Sequence, residues 1–172
     1  DGYTPLQWTA QNDHKELMSL LICNGANVNH ADKYGYYTPL YVAAGYGHIE
    51  IVLLLVSKGA NVKRAPLALY LSAEHGHKQV ALLLISLGEN VNQVHHKGAP
   101  LHITVEKGHE EIAKLLITNG ANVNRTDTCG RTPFLLAVIH NRKGLESVLL
   151  TNGANVNQAD KNGWTPLYIA VH

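Results

Sequence analysis

The feature that most restricts this chain is an interval. Pro5 to Gly25, Pro39 to Gly59, Pro100 to Gly120 and Pro133 to Gly153 are each separated by 20 residues, and Ala68 to Gly88 repeats the spacing with alanine in the proline position. A fixed block met five times without an insertion implies an architecture built by repetition. The stretches between blocks obey no such rule. Gly120 to Pro133 and Gly153 to Pro166 take 13 steps, Gly25 to Pro39 takes 14, Gly88 to Pro100 takes 12 and Gly59 to Ala68 takes 9. The constant block must be packed on both sides, whereas the connector projects into water, where extra length costs little.

Each block reads as two short antiparallel helices. Thr4-Pro5, Thr38-Pro39, Thr132-Pro133 and Thr165-Pro166 are helix starts. Threonine caps free amides, and proline fits a first turn that needs no N–H. Helix 1 should run about eight residues and end at Gly47, Gly76 or Gly108, with Asp13 and Asn141 in the same slot. Those two residue types tolerate positive φ best after glycine. Helix 2 follows, as in Ile49 to Leu55, and stops at the Gly-Ala-Asn phrase. Neither helix reaches the ~12–15 residues an isolated helix needs in water. Each unit must therefore bury its apolar face on the next, as in a quasi-one-dimensional solenoid.

Composition agrees with a packed protein. Apolar residues make up 45% and charged residues 16%, with a formal charge of +1. That balance disfavours a nucleic-acid partner, which selects a basic excess. Apolar runs such as Ile51 to Val56 stop at six residues, so no membrane insertion is expected, and no leader sequence opens the chain. Two cysteines, Cys23 and Cys129, make no disulfide framework and point to a reducing, intracellular setting, cytoplasmic or nuclear. They lie about three repeats apart, too far to bridge. The sequon Asn124-Arg125-Thr126 reads as unused.

Gly-x-Thr-Pro-Leu, Ala-Ala-x-x-Gly-His, Ile-Val-x-Leu-Leu-Leu and Gly-Ala-Asn-Val-Asn together resemble the ankyrin repeat. The second unit carries it best, with Asp32, Gly35, Thr38-Pro39-Leu40, Ala43-Ala44, Gly47-His48 and Gly59-Ala60-Asn61. The resemblance spans the chain. It implies an all-α ankyrin-repeat solenoid of antiparallel helix pairs with β-hairpin-like fingers. The units run at about 1–31, 32–63, 64–94, 95–126, 127–159 and a partial 160–172, in a single array read as a window on a longer protein. Three departures stand out. The third unit has Lys63-Arg64-Ala65-Pro66-Leu67 instead of a finger; either the finger is truncated, leaving a notch, or residues are missing from the sequence. Glu146 replaces Val52, Ala81 and Ala113 of other units, and Gly144 sits early in a helix. Both are costly choices, which marks the fifth unit as the weak one.

No catalytic or metal constellation emerges. His14, His48, His77 and His109 fill the Gly-His slot, and His102 a helix 1 slot, positions the resemblance assigns to structural hydrogen bonds. His95-His96 has no carboxylate or thiol at metal-site spacing. Asp32, Asp127 and Asp160 recur at one finger position, where Asp caps turns. There is no phosphate loop and no HExxH. The expectation is a non-enzyme with no cofactor, no metal and no small-molecule substrate, monomeric, binding another protein or peptide.

The resemblance places binding on the fingers and helix 1. Side chains free of a packing role there are Tyr34, Tyr36, Tyr37 and Tyr46, then Glu74, His75, His96, Lys97, Glu106, Lys107, Arg131, His140 and Trp164. Tyrosine gives large contact area at low entropic cost, and eight of the few aromatics here are tyrosines. Docking is expected across units two to four. Tyr41 and Tyr70 read as stand-ins for the helix 1 histidine, and Trp8 as core. The leading role is a module of an adaptor or scaffold, such as the recognition part of a ubiquitin-ligase adaptor. The alternative is a regulatory or mechanical segment of a channel or signalling enzyme. A third reading makes Asn29, Asn92, Asn124 and Asn157 substrates of an asparaginyl hydroxylase.

Overall fold

The computed structural model describes residues 3–33, 35–65 and 67–171. Eleven α-helices alternate along them, and no extended strand occurs among the described residues. They are α1 (Pro5–Gln11), α2 (Lys15–Cys23), α3 (Pro39–Tyr46), α4 (Ile49–Ser57), α5 (Ala68–Glu74), α6 (Lys78–Ser86), α7 (Pro100–Lys107), α8 (Glu110–Thr118), α9 (Pro133–Ile139), α10 (Lys143–Thr151) and α11 (Pro166–Ala170). The chain forms two compact units, residues 1–89 and 90–172. In the first, α1, α3 and α5 pack side by side, each against its own partner helix. In the second, α7, α9 and α11 pack side by side, α7 and α9 each against its own partner helix.

The expected caps are present. Oγ1 of Thr4, Thr38, Thr132 and Thr165 accepts the amide three residues on, from Gln7, Tyr41, Leu135 and Tyr168. Each such cap contributes ~1 kcal/mol. Ala99 has no side-chain oxygen to do this; there His102 Nδ1 accepts the Ala99 amide at 3.1 Å, the bond that Gln7 Oε1 makes to the Thr4 amide in the first repeat. Helix 1 ends in a left-handed residue in every full repeat: Asp13 (φ 56°), Gly47 (78°), Gly76 (81°), Gly108 (84°) and Asn141 (51°).

The cores are aliphatic. Leu40, Ile51, Leu55, Leu69 and Leu84 are fully buried in the first unit, and Leu101, Ile103, Leu116, Leu135, Leu136 and Leu149 in the second. Burying a side chain of this size stabilises by roughly 1.5–3 kcal/mol, which short helices cannot obtain alone. Trp8 departs from its expected core role. It is 47% exposed on α1, with its ring 4.9 Å from that of His14. The equivalent Val42, Ile103 and Leu136 are buried, whereas Leu71, in the same slot of the third repeat, is half-buried.

The fingers are tighter than hairpins. A single antiparallel bridge, His95 with Gly98, is the only β pairing among the described residues. The finger aspartates supply the rest. Asp32 Oδ1 accepts the amides of Tyr36 and Tyr37, Asp127 Oδ1 those of Cys129 and Arg131, and Asp160 Oδ1 those of Asn162 and Trp164. The third repeat replaces its finger with a single 3-10 turn, Val62–Arg64, leading into α5. Glu146 is half-exposed, so its carboxylate reaches water. Gly144 leaves room for the Glu110 carboxylate, whose Oε2 would lie 2.6 Å from any Cβ there.

Candidate protein-binding face

Two sets of side chains tie repeats to their neighbours. The first lies where helix 1 ends. His48 Nε2 meets the Gln11 carbonyl at 3.0 Å, and His77 Nε2 meets that of Gly45 at 3.1 Å. Arg142 Nη2 donates to the Glu106 carbonyl at 3.0 Å. Gln11, Gly45 and Glu106 are equivalent, each six residues after the helix start. Arginine thus does in the fifth repeat what histidine does in others. Nothing in the sequence announces it except its place after Asn141.

The second set comes from the Asn-Val-Asn phrase. Asn29 Nδ2 donates to the Gly59 carbonyl at 3.0 Å while its Oδ1 accepts the Asn61 amide at 2.7 Å. Asn92 holds Gly120 and Asn122 in the same way, and Asn124 holds Gly153 and Asn155. These asparagines are inter-repeat clasps. The second repeat has Lys63 at this position.

These clasps leave the finger and helix 1 face outward. In the unit 1–89 they frame a concavity of about 740 Å³, lined by Tyr3, Gln11, Tyr37, Tyr41, Val42, Gly45, Tyr46, Leu71, His75 and His77. Tyr37 and Tyr41 rings lie 4.8 Å apart, inclined at 60°. The Tyr3 hydroxyl donates to Gln11 Oε1 at 2.7 Å, and Gln11 Nε2 donates to the Tyr46 hydroxyl at 2.9 Å, so one glutamine braces two phenols. His75 Nδ1 lies 3.0 Å from the Leu71 carbonyl. The Tyr41 phenol is pushed up to about 12, first by burial, then by Tyr37, Glu74 and Asp32. Burial also raises Tyr3, with Tyr46 adding to it.

Of the residues singled out in the sequence, Tyr37, Tyr46 and His75 share this wall. Tyr36 is exposed beside it and Glu74 is half-exposed one residue before His75. Tyr34 lies outside the described residues. Tyr3, Gln11, Leu71 and His77 line the wall without having been picked out, because their convergence depends on how repeats stack. Tyr41 lines it too, although its slot is filled by a buried ring at Tyr70.

The remaining candidates belong to the unit 90–172. His96 and Lys97 are exposed on a finger, with the His96 ring 3.7 Å from that of His95. Glu106 and Lys107 end α7, their charges 3.6 Å apart. His140 is exposed, and Trp164 is exposed with its ring 6.0 Å from Tyr168. Arg131 is more constrained than expected. Its Nε and Nη2 both bind Asp127 Oδ2 at 2.8 Å, and the Asp127 side chain is wholly buried. No group of three or more metal-ligating side chains occurs among the described residues, and no helix there is long and apolar enough to cross a membrane.

The stacked helix pairs, their αL junctions and their aspartate fingers define a helical repeat protein. The sequence profile described as ankyrin repeats in three copies matches residues 1–66, 64–127 and 101–172. The chain belongs to the ankyrin-repeat family, whose repeats are generally protein–protein interaction modules. No curated protein matches it.

Proposed function

We propose that this chain is a protein-recognition module of an adaptor or scaffold, and that a partner docks on its finger and helix 1 face. The observation that carries this reading is the tyrosine-walled concavity of residues 1–89. Three partly exposed phenols there, Tyr3, Tyr37 and Tyr46, serve no buried core. Large rings held in place lose little entropy on binding, which is why tyrosine concentrates at hot spots. Tyr36 extends the surface, and Glu74 and His75 border it. Exposed His96, Lys97, Lys107, His140 and Trp164, with half-exposed Glu106, form the candidate surface of residues 90–172, with Arg131 contributing the edge of its Asp127-bound guanidinium. The module is non-catalytic, and the free, exposed Cys23 and Cys129 suit an intracellular setting.

The test begins with capture of a partner from native cells and measurement of its dissociation constant. Tyr36→Ala with Tyr37→Ala should weaken binding at least tenfold. Leu53→Ser with Leu82→Ser, exposed on the helix 2 side, should leave it unchanged. The reverse pattern in folded proteins refutes the assignment of the face.

A further inference from the structure

We infer that the concavity of residues 1–89 receives an arginine side chain carried by an extended segment of the partner. The inference rests on the reading that this face binds a partner and adds what it recognises. No lysine or arginine is among the groove-lining residues. What lines it accepts charge. Tyr37 and Tyr41 both line it, their rings 4.8 Å apart and inclined at 60°, and an aromatic ring attracts a cation through the quadrupole of its π system. The Leu71 carbonyl can only accept, so the proton of neutral His75 sits on Nδ1. His75 Nε2 then carries the ring's lone pair, on a residue that lines the groove. The Tyr46 hydroxyl, already accepting from Gln11, has its own proton to give and a lone pair left.

Two acidic groups, Asp32 and Glu74, act on the Tyr41 hydroxyl at the groove wall. Asp32 is fixed at the base of its finger by the amides of Tyr36 and Tyr37. A guest that is planar, donor-rich and weakly hydrated matches this lining. Guanidinium meets all three requirements, whereas an ammonium loses more hydration on leaving water. At about 740 Å³ the space exceeds one side chain. Val42 and Leu71 therefore remain to cover apolar neighbours of the arginine.

The probe is a randomised heptapeptide library displayed against the whole chain, counter-selected on Tyr37→Leu with Tyr46→Leu. Both residues are about half-exposed, so the variant should keep its fold, as checked by circular dichroism. The expected result is arginine enriched at one position in peptides that the variant no longer binds. Replacing that arginine by citrulline, which keeps the shape and removes the charge, should weaken binding at least tenfold. Glu74→Gln should weaken it severalfold. Peptides lost on the variant but rich in proline, acidic or purely apolar residues overturn the arginine assignment while leaving the face intact. Peptides that bind the variant equally well overturn the face itself. A library that yields no binder, or a citrulline peptide of equal affinity, also overturns the arginine assignment.

Discussion

The imidazole of His77 lies against Gly47, so close that a Cβ on that glycine would fall inside the ring's van der Waals surface. The glycine therefore meets two demands at once. It turns the chain through φ 78° at the end of α3, and it clears the path by which His77 reaches the Gly45 carbonyl. Gly108 and Arg142 repeat the arrangement in the other unit, where a Cβ would lie 2.9 Å from Cζ. In the first repeat Asp13 holds the junction, and its carboxylate sits 3.8 Å from His48 Nδ1 instead.

Comparing two glycines separates these demands. Gly25 has φ 89° and open space, with nothing within 4 Å of where a methyl would sit, so Gly25→Ala should cost only backbone strain, about 1–2 kcal/mol. Gly47→Ala adds a steric conflict of about 1–3 kcal/mol and loosens the histidine clasp. Urea denaturation at 25 °C should therefore rank Gly47→Ala well below Gly25→Ala. Equal losses would mean that the His77 contact is irrelevant.

The asparagine clasps make a second prediction. Asn124→Ala removes one bond to Gly153 and one to Asn155. At about 0.5–1.5 kcal/mol net per bond, and with the site open to water, the loss should be about 1–2 kcal/mol. Asn157→Ala, at the same position in the fifth repeat, removes no such pair and should be nearly silent. Thermal melts of the two variants read the difference.

Glu89 stands where Ala26, Ala60, Ala121 and Ala154 stand in the other repeats. Its Oε1 is buried without a hydrogen-bond partner, and burial pushes the carboxyl up to about 7. A carboxyl with a higher pKa folded than unfolded binds more protons in the folded state. Stability should therefore fall as pH rises from about 4.5 to about 7 and then level off. The full shift corresponds to about 3 kcal/mol, and residual solvent contact reduces this to roughly 1–3 kcal/mol. Glu89→Ala should thus stabilise at pH 8 and make little difference at pH 4.5, as measured by denaturant titration at both values.

His102 titrates in the opposite sense. Burial lowers its pKa, against the pull of the Arg125 carbonyl, which lies 2.9 Å from Nε2. The folded protein resists protonation, so this contribution is complete above pH 6.5 and is lost as pH falls below it. Gln7 occupies the same slot in the first repeat. It accepts the Thr4 amide and donates to the Tyr37 carbonyl. His102→Gln should keep stability at pH 7 within about 1 kcal/mol and flatten the acid limb. A variant as acid-sensitive as the parent would show that another group governs it.

Much of the scaffold is legible in the sequence because it is written locally. Thr-Pro starts, left-handed junction residues and finger aspartates act within a few positions of themselves, and all of them behave as their chemistry dictates. The groove is legible only in part. Tyr37, Tyr46 and His75 stand out as residues without a packing duty, whereas Tyr3, Gln11 and Leu71 join them across about 30 residues through stacking. Arg142 and Arg131 illustrate the same boundary. One replaces a histidine from 36 positions away, and the other is committed to a buried aspartate within its own finger. Trp8 lies exposed in a slot where Val42, Ile103 and Leu136 are buried and Leu71 is half-buried, a difference that no single repeat reveals.

Both ends of the Asn29, Asn92 and Asn124 amides are held by the repeat that follows. Tilting or removing that repeat would leave both groups of each asparagine to water, so these three side chains report on whether neighbouring modules stay stacked.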